Sequence, residues 1–152
     1  MRFSSLIFSV STIFAVASTA AHAADGLVEF KSPYSAKQTM DRMENVVKER
    51  GLRMFVRVDH AAGAASVGRS LRPTEVMVFG SPQGGTPLLE CGQTVGIDLP
   101  LKALVWEDTS GQVWLGFNDP AYVATRHGVQ DCPAVAILQN ALTGLAKTVV
   151  AQ

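Results

Sequence analysis

The chain has 152 residues, with 13 basic and 13 acidic side chains, and 47% of its residues are hydrophobic. This balance of charge excludes the strongly basic surface typical of proteins that bind nucleic acid or anionic membranes. The length is that of one domain with one hydrophobic core, and composition alone does not indicate a ligand or a reaction.

The first 23 residues have the pattern of a secretory signal peptide. Arg2 precedes a short apolar stretch, and residues 21–23 (AHA) form an A-x-A cleavage site. The apolar stretch is shorter than the roughly 20 residues that span a bilayer, which argues against a membrane anchor. An uncleaved anchor is the alternative to a signal peptide. We expect a signal peptide over 1–23 and a single domain over 24–152, periplasmic or secreted and free of the membrane after cleavage.

A strand and a helix are predicted at the start of the mature chain. Gly26–Ser32 alternates imperfectly and is short, which indicates an edge strand. Ser35 and Gln38 then form a capping box, and Gly51 supplies the left-handed residue that ends a helix. The apolar face of this helix holds Met40, Met43, Val46 and Val47.

Four further strands are predicted by alternation and by the turns between them. Leu52–His60 reads as a half-buried strand, and the small residues of His60–Gly68 predict a flexible loop. Thr74–Gly80 is the next strand. Leu101–Glu107 and Gln112–Asn118 follow, joined by a four-residue hairpin that demands antiparallel pairing. Their tryptophans, Trp106 and Trp114, are expected to stack across the two strands or to serve in core or dimer packing.

The last element is a helix that opens at Asp131-Cys132-Pro133, with Asp131 as the candidate cap. The order β-α-β-β-β-β-α predicts an α+β fold, a mostly antiparallel sheet with helices packed on one face. The helix carries one apolar stripe for this contact: Val135, Leu138, Leu142, Leu145 and Val149.

Cys91 and Cys132 are the only cysteines. An even pair in an exported chain favours a disulfide, because that compartment is oxidising. A loop of this length would gain roughly 4 kcal/mol in the chain-entropy model. Two free thiols, or a thiol that binds a metal, are the alternatives.

The segment GSPQGGT resembles a phosphate-binding loop in its glycine spacing. Gly80 and Gly85 are correctly placed, but Thr86 stands where the loop needs lysine and Pro87 follows it. Nucleotide binding is therefore disfavoured. Thr86 is instead predicted to cap a short helix, Pro87–Cys91, whose N-terminus could attract a small anion or carboxylate.

The sequence contains no complete catalytic set, so no catalytic residue, metal or cofactor is assigned. Neither His60 nor His127 has a partner at metal-ligand spacing, and the G-x-S-x-G motif of serine hydrolases is absent. An enzyme with His60 as general base is one alternative. A transition-metal or haem site is another, and it would need ligands such as Asp98 and the cysteines from distant segments.

The segments VDHAAGA, LRPTEVMVFGSPQGGTPLL and GIDLPLKALVWEDTSGQVWLGFNDP, with the leucine-rich final helix, resemble the domain-of-unknown-function 302 family over nearly all of the mature chain. Ser81 stands where the family usually has Asn. The resemblance implies the same α+β order and a homodimer, and it implies no established activity or cofactor. His60, Gly80 and Thr86 match recurring family positions and are predicted to bind a ligand.

The sequence thus favours an exported binding or accessory domain, dimeric through a sheet face or edge. It would hold a small polar ligand near His60, Gly80 and Thr86.

Overall fold

A five-stranded antiparallel sheet forms one layer of the protein. The computed structural model describes residues 24–152, so the predicted signal peptide lies outside the described residues. The spatial order of the strands is β1-β5-β4-β3-β2, which places β1 at an edge, as predicted. The strands are β1 (Leu27–Ser32), β2 (Arg53–Asp59), β3 (Thr74–Gly80), β4 (Leu101–Glu107) and β5 (Val113–Asn118).

Two long helices cover one face of this sheet, which confirms the α+β prediction. They are α1 (Ala36–Glu49) and α5 (Ala134–Val150), and they pack against each other as well as against the strands. Three shorter α-helices and one 3-10 helix occupy the connections: α2 (His60–Ser66), α3 (Pro82–Cys91), the 3-10 helix Gln93–Ile97, and α4 (Pro120–His127).

The boundaries of α1 agree with its sequence signals. The Ser35 hydroxyl accepts from the Gln38 amide at 3.3 Å, and the Ser35 amide donates to the Gln38 side chain at 3.2 Å. Gly51 has φ +67°, the left-handed conformation that a residue with Cβ rarely adopts. The apolar face is buried as predicted, with Met40 and Val47 both fully inaccessible.

The main core lies between the sheet and the pair α1 and α5. Its members are buried side chains from the inward faces of the strands and from the facing sides of both helices: Met40, Met43, Val46, Val47, Met77, Phe79, Ala103, Val105, Val113, Leu115, Phe117, Leu142, Leu145, Ala146 and Val149. A second, smaller cluster joins the short helices to the start of α5: Leu88, Val95, Val123, Ala124, Cys132 and Val135.

Arg57 fixes α1 to the β2 side of the sheet. Its guanidinium donates to both carboxylate oxygens of Glu75 on β3, at 2.5 and 3.0 Å, and to Asp41 and Glu44 on α1, at 3.0 and 2.9 Å. One cation therefore connects three elements, in the bidentate geometry that arginine favours.

The two helix carboxylates of this network have lowered pKa values. Hydrogen bonds from Lys37 and then from Arg57 lower the pKa of Asp41. Those from Lys48 and then from Arg57 lower the pKa of Glu44. Glu44 and Lys48 form an i,i+4 ion pair, at 2.6 Å.

The predicted flexible loop His60–Gly68 is wrong, because its first seven residues form α2. Asp59 caps this helix by accepting from the Ala62 amide at 2.9 Å. Four of the seven residues are alanine, the strongest helix former, so local propensity and the Asp59 cap favour a helix although no apolar periodicity exists.

The predicted start of the helix near the glycine loop is also wrong. Ser81, not Thr86, is the N-cap, and α3 runs from Pro82 to Cys91 with Pro87 in its interior. The Ser81 hydroxyl accepts from the Gly84 amide at 3.2 Å, and Pro82 occupies the first turn, where its missing N–H costs nothing. The predicted end of this helix at Cys91 is confirmed, and Gly92 is its C-cap.

Three smaller differences concern the second half of the chain. The 3-10 helix and α4 lie where no element was predicted. The last helix begins at Ala134 after Pro133, and its N-cap makes no side-chain hydrogen bond, so the predicted cap at Asp131 is wrong.

The predicted hairpin of β4 and β5 is confirmed. Trp106 and Trp114 are paired in register, and the centroids of their stacked rings lie 6.3 Å apart.

Candidate functional site

A cavity of about 570 Å³ lies between α3, α5 and the ends of β3 and β4. Its size is within the range of pockets that bind small molecules. Leu142 and Leu145 of α5 and Phe79 of β3 line it from the core side. Leu89 of α3 and Leu99, just before β4, line it from the other side. Its lining is therefore predominantly apolar.

The apolar stripe of α5 explains why this space has an apolar wall. Leu138, Leu142 and Leu145 fall on one side of the helix, as the sequence predicted. Leu142 and Leu145 are each only 3% exposed and also belong to the main core, whereas Leu138 is half-buried. One stripe thus serves both the core and the cavity.

A β-bulge places an aromatic ring at the same site. The pairing of β2 with β3 shifts register between Met54 and Val56, which leaves Phe55 as the extra residue. Bulges redirect a side chain relative to strict alternation. Phe55 lines the cavity although 45% of its surface is exposed, and the Arg53 guanidinium lies 5.1 Å from its ring.

Arg50 is the only ionisable side chain among the described residues that line the cavity. It follows α1 directly and extends across to α5. There it donates to the carbonyl oxygens of Ala141 and Gly144, at 3.3 and 3.0 Å, and to the Thr148 hydroxyl at 3.0 Å. Ala141 itself lines the cavity, so these contacts fix the guanidinium at its rim.

The beginning of α3 forms another part of the rim. Gly84, Gly85 and Thr86 line the cavity together with Ser81. The amides of Gly84 and Gly85 already donate to the hydroxyl and the carbonyl of Ser81, at 3.2 and 3.0 Å. These two donors are therefore committed to the helix cap, while the Ser81 hydroxyl proton stays available to a ligand.

Of the three predicted ligand-binding residues, the structure brings together two. Gly80 and Thr86 both line the cavity, and His60 does not. Gly80 pairs with Arg53 at the start of β2, whereas His60 follows Asp59 at the far end of that strand. Six strand residues separate these ends, a distance of about 20 Å. His60 is exposed at the beginning of α2.

The disulfide between Cys91 and Cys132 is present, as the sequence predicted, with the Cα atoms 6.0 Å apart. Cys91 is the last residue of α3, and Cys132 lies just before α5. The bond therefore ties together the two helices that form opposite walls of the cavity. Both thiols are consumed by it, so neither is available as the metal ligand considered from the sequence.

A second polar cluster lies outside the cavity and joins α4 to the 3-10 helix. His127 bonds to Asp98 at 2.7 Å and to Thr94 at 3.0 Å, and Arg126 donates to the same aspartate at 3.0 Å. Within residues 24–152, no group of three or more His, Cys, Asp and Glu side chains could hold a metal ion. The cluster holds two short helices together.

Sequence reasoning missed Arg50 and Phe55. The bulge that redirects Phe55 depends on the pairing partner of β2, and no local pattern records it. For Arg50 a weak signal existed, since it follows Val46 by four positions and Val47 by three and so continues the buried face of α1.

The antiparallel sheet, the helices on one face and the cavity beside α3 define an α+β domain with a pre-formed apolar pocket. The family model for the domain of unknown function DUF302 matches residues 28–146. The chain belongs to the DUF302 family.

A solved structure agrees with this assignment at the level of the fold. The crystal structure of an uncharacterised conserved DUF302 protein from Bacillus stearothermophilus superposes with a TM-score of 0.67. The match covers 84% of this chain and 97% of that chain at 18% identity.

Curated relatives have higher sequence identity over a shorter part of their length. Fluoride-specific ion channel FluC 1 from Brucella suis biovar 1 (strain 1330) is 48% identical over 112 residues, which are 74% of this chain and 44% of the relative. The protein of the same name from Brucella abortus biovar 1 (strain 9-941) has the same identity, with 42% of its length covered. The chain thus spans less than half of these relatives. None of the helices within residues 24–152 has both the length and the apolar character to cross a bilayer.

Proposed function

We propose that this protein is an exported small-ligand-binding domain whose ligand occupies the cavity between α3 and α5. The observation that carries this proposal is the cavity itself: about 570 Å³, pre-formed, apolar in its lining and provided with few polar groups at the rim. These are the properties of small-molecule sites in general. The apolar lining favours a ligand with an apolar body over the small polar ligand expected from the sequence.

The proposal is tested by blocking the cavity from its rim. Ala141 is exposed on α5 and lines the cavity, so Ala141→Trp should fill the opening without disturbing the core. Ala136, exposed on the same helix and outside the lining, provides the control Ala136→Trp. Binding of the neutral fluorescent probe N-phenylnaphthylamine should be lost in the first variant and kept in the second. Equal binding by both variants would contradict the proposal.

Export is part of the same proposal and is supported by the sequence of residues 1–23. Its signal-peptide pattern predicts cleavage after Ala23. N-terminal sequencing of protein recovered from the periplasmic fraction should begin at Ala24. An intact Met1 on that material would contradict cleavage.

We also propose that the protein is a homodimer, with the outer side of β2 in the interface. Val56 and Val58 are 45% and 40% exposed, and they lie on the sheet face opposite α1 and α5. Since β2 is an edge strand, the same surface offers both apolar side chains and unpaired backbone groups. Sedimentation analysis should show a dimer that Val58→Glu dissociates. A monomeric wild type at all concentrations would contradict the dimer.

The curated relatives favour a second candidate function, an accessory role beside a fluoride channel. Those proteins are named as fluoride-specific ion channels, and this chain matches less than half of each at 48% identity. Under this proposal, deletion of the gene lowers the resistance of cells to fluoride, and the wild-type gene restores it. Unchanged resistance in the deletion strain would exclude the role.

A further inference from the structure

We propose that the ligand of the cavity is a single-chain carboxylate amphiphile, with its chain among the leucines and its carboxylate at Arg50. This inference rests on the proposed function above and adds the chemical class of the ligand. Three observations carry it: the charge of the lining, the free donors of Arg50 and the aliphatic walls.

The charge of the lining favours an anionic head group. Arg50 contributes the one cation, and no Asp or Glu belongs to the described lining. A cationic ligand would therefore meet repulsion without any compensating carboxylate, and a neutral ligand would gain nothing from the charge of the arginine. A group with a single negative charge balances the site.

Arg50 has donors free to bind a carboxylate. A guanidinium has five N–H groups, and three of them are used by Ala141, Gly144 and Thr148. Nε–H and one N–H of Nη1 have no partner within residues 24–152. Either one can donate a charge-assisted hydrogen bond to a carboxylate oxygen, while their opposite directions on the guanidinium exclude a bidentate pair. Because the contacts with α5 already fix the side chain, binding costs little additional conformational entropy.

The walls favour an aliphatic chain. Leu52, Leu89, Leu99 and Leu138 surround the space, and Leu142 and Leu145 close it on the core side. These leucine side chains can contact the methylene groups of a flexible chain along the whole depth of the cavity. Each methylene that enters the cavity should raise the affinity roughly fourfold, until the cavity is filled.

Arg42 provides a matched control for Arg50. It lies on α1 itself and, like Arg50, it donates to carbonyl oxygens near the end of the chain: those of Val149 and Ala151, at 2.7 and 2.9 Å. It does not line the cavity. The loss of a helix-to-helix contact can therefore be separated from the loss of the cation at the rim.

The test is displacement of N-phenylnaphthylamine from the purified protein at neutral pH. Decanoate should displace the probe at a concentration about tenfold or more below that of decanol, because a hydrogen-bonded charge is recognised in addition to the chain. Decyltrimethylammonium should be the weakest competitor. In Arg50→Gln the decanoate and decanol curves should converge, whereas Arg42→Gln should keep them apart and Arg50→Lys should restore part of the difference.

Equal displacement by decanoate and decanol in the wild type would overturn this inference. This comparison uses the wild-type protein alone, so it does not depend on whether a variant folds. An unchanged preference for decanoate in Arg50→Gln would overturn the role of Arg50. If the wild type binds none of the three molecules, the probe, decanoate or decanol, the proposed function itself would be overturned.

Discussion

The region of α1 and the region of α3 use their apolar side chains in opposite ways. Beneath α1, Met40, Met43 and Val47 are at most 1% exposed, and Arg57 closes the polar edge with four hydrogen bonds. Beside α3, Leu89 and Leu99 are only half-buried and line the cavity, although Leu88 of the same helix is buried in the smaller cluster. The difference fits a first region that supplies stability and a second that, as proposed, binds the ligand.

The largest expected effect comes from a leucine pair that tests this contrast. Leu115 is 1% exposed in the main core, so Leu115→Ala should lower the free energy of unfolding by about 2–5 kcal/mol. Leu89 already faces the cavity, and Leu89→Ala should cost less than about 1.5 kcal/mol. Urea denaturation measures both. Equal losses would mean that the cavity wall is packed as tightly as the core.

The disulfide should have the next largest effect, because it joins the two cavity walls. Reduction, or Cys91→Ser combined with Cys132→Ser, should lower the free energy of unfolding by roughly 2–4 kcal/mol. Hydrogen exchange should increase first in α3 while α1 stays protected. Identical denaturation with and without reductant would contradict a structural role for the bond.

The Arg57 network tests the α1 side without touching the cavity. Arg57→Met should lower the free energy of unfolding by about 1–2 kcal/mol, because it removes charged hydrogen bonds to Glu75, Asp41 and Glu44. Probe binding should be unchanged. Arg69→Met, at an exposed arginine that does not line the cavity, is the control. A loss of probe binding in Arg57→Met alone would show that the two regions are coupled.

The smallest effect concerns acid pH. Hydrogen bonds from the Ser110 hydroxyl and then from the Trp114 indole hold the pKa of Asp108 well below its usual range. A carboxyl with a lower pKa in the folded chain stabilises the fold above about pH 4 and loses this contribution as the pH falls further. Asp41 and Glu44 act in the same direction.

Denaturation at a series of pH values should therefore show stability that declines below about pH 4. The decline should be shallower in Asp108→Asn, which has no charge to lose. A steeper decline in that variant would contradict the assignment to Asp108.

The sequence predicted well wherever a long periodic pattern was present. The capping box of α1, the stripe of α5 and the alternation of β3 each identify an element and its buried face, because the periods of helix and strand differ. The disulfide was predictable from the cysteine count and the expected compartment, and the family from the GSPQGGT and DLPLK segments. The general α+β architecture followed from the order of the elements.

The cavity was only partly predictable. Gly80 and Thr86 line one cavity, and their role in binding stays a prediction. The extent of α3 was misjudged because Thr86 and Ser81 are both plausible caps and tertiary packing decides between them. His60 was grouped with them because the register of β2 against β3 is not visible in the sequence. Arg50 acquires its position only when α1 meets α5.

Backbone NMR during a decanoate titration tests the central claim most directly. The account predicts shifts of the Gly80, Gly85 and Ala141 amides, which surround the cavity, and none at His60 or Ala62. Shifts centred on His60 and Ala62, with the cavity amides unmoved, would contradict it.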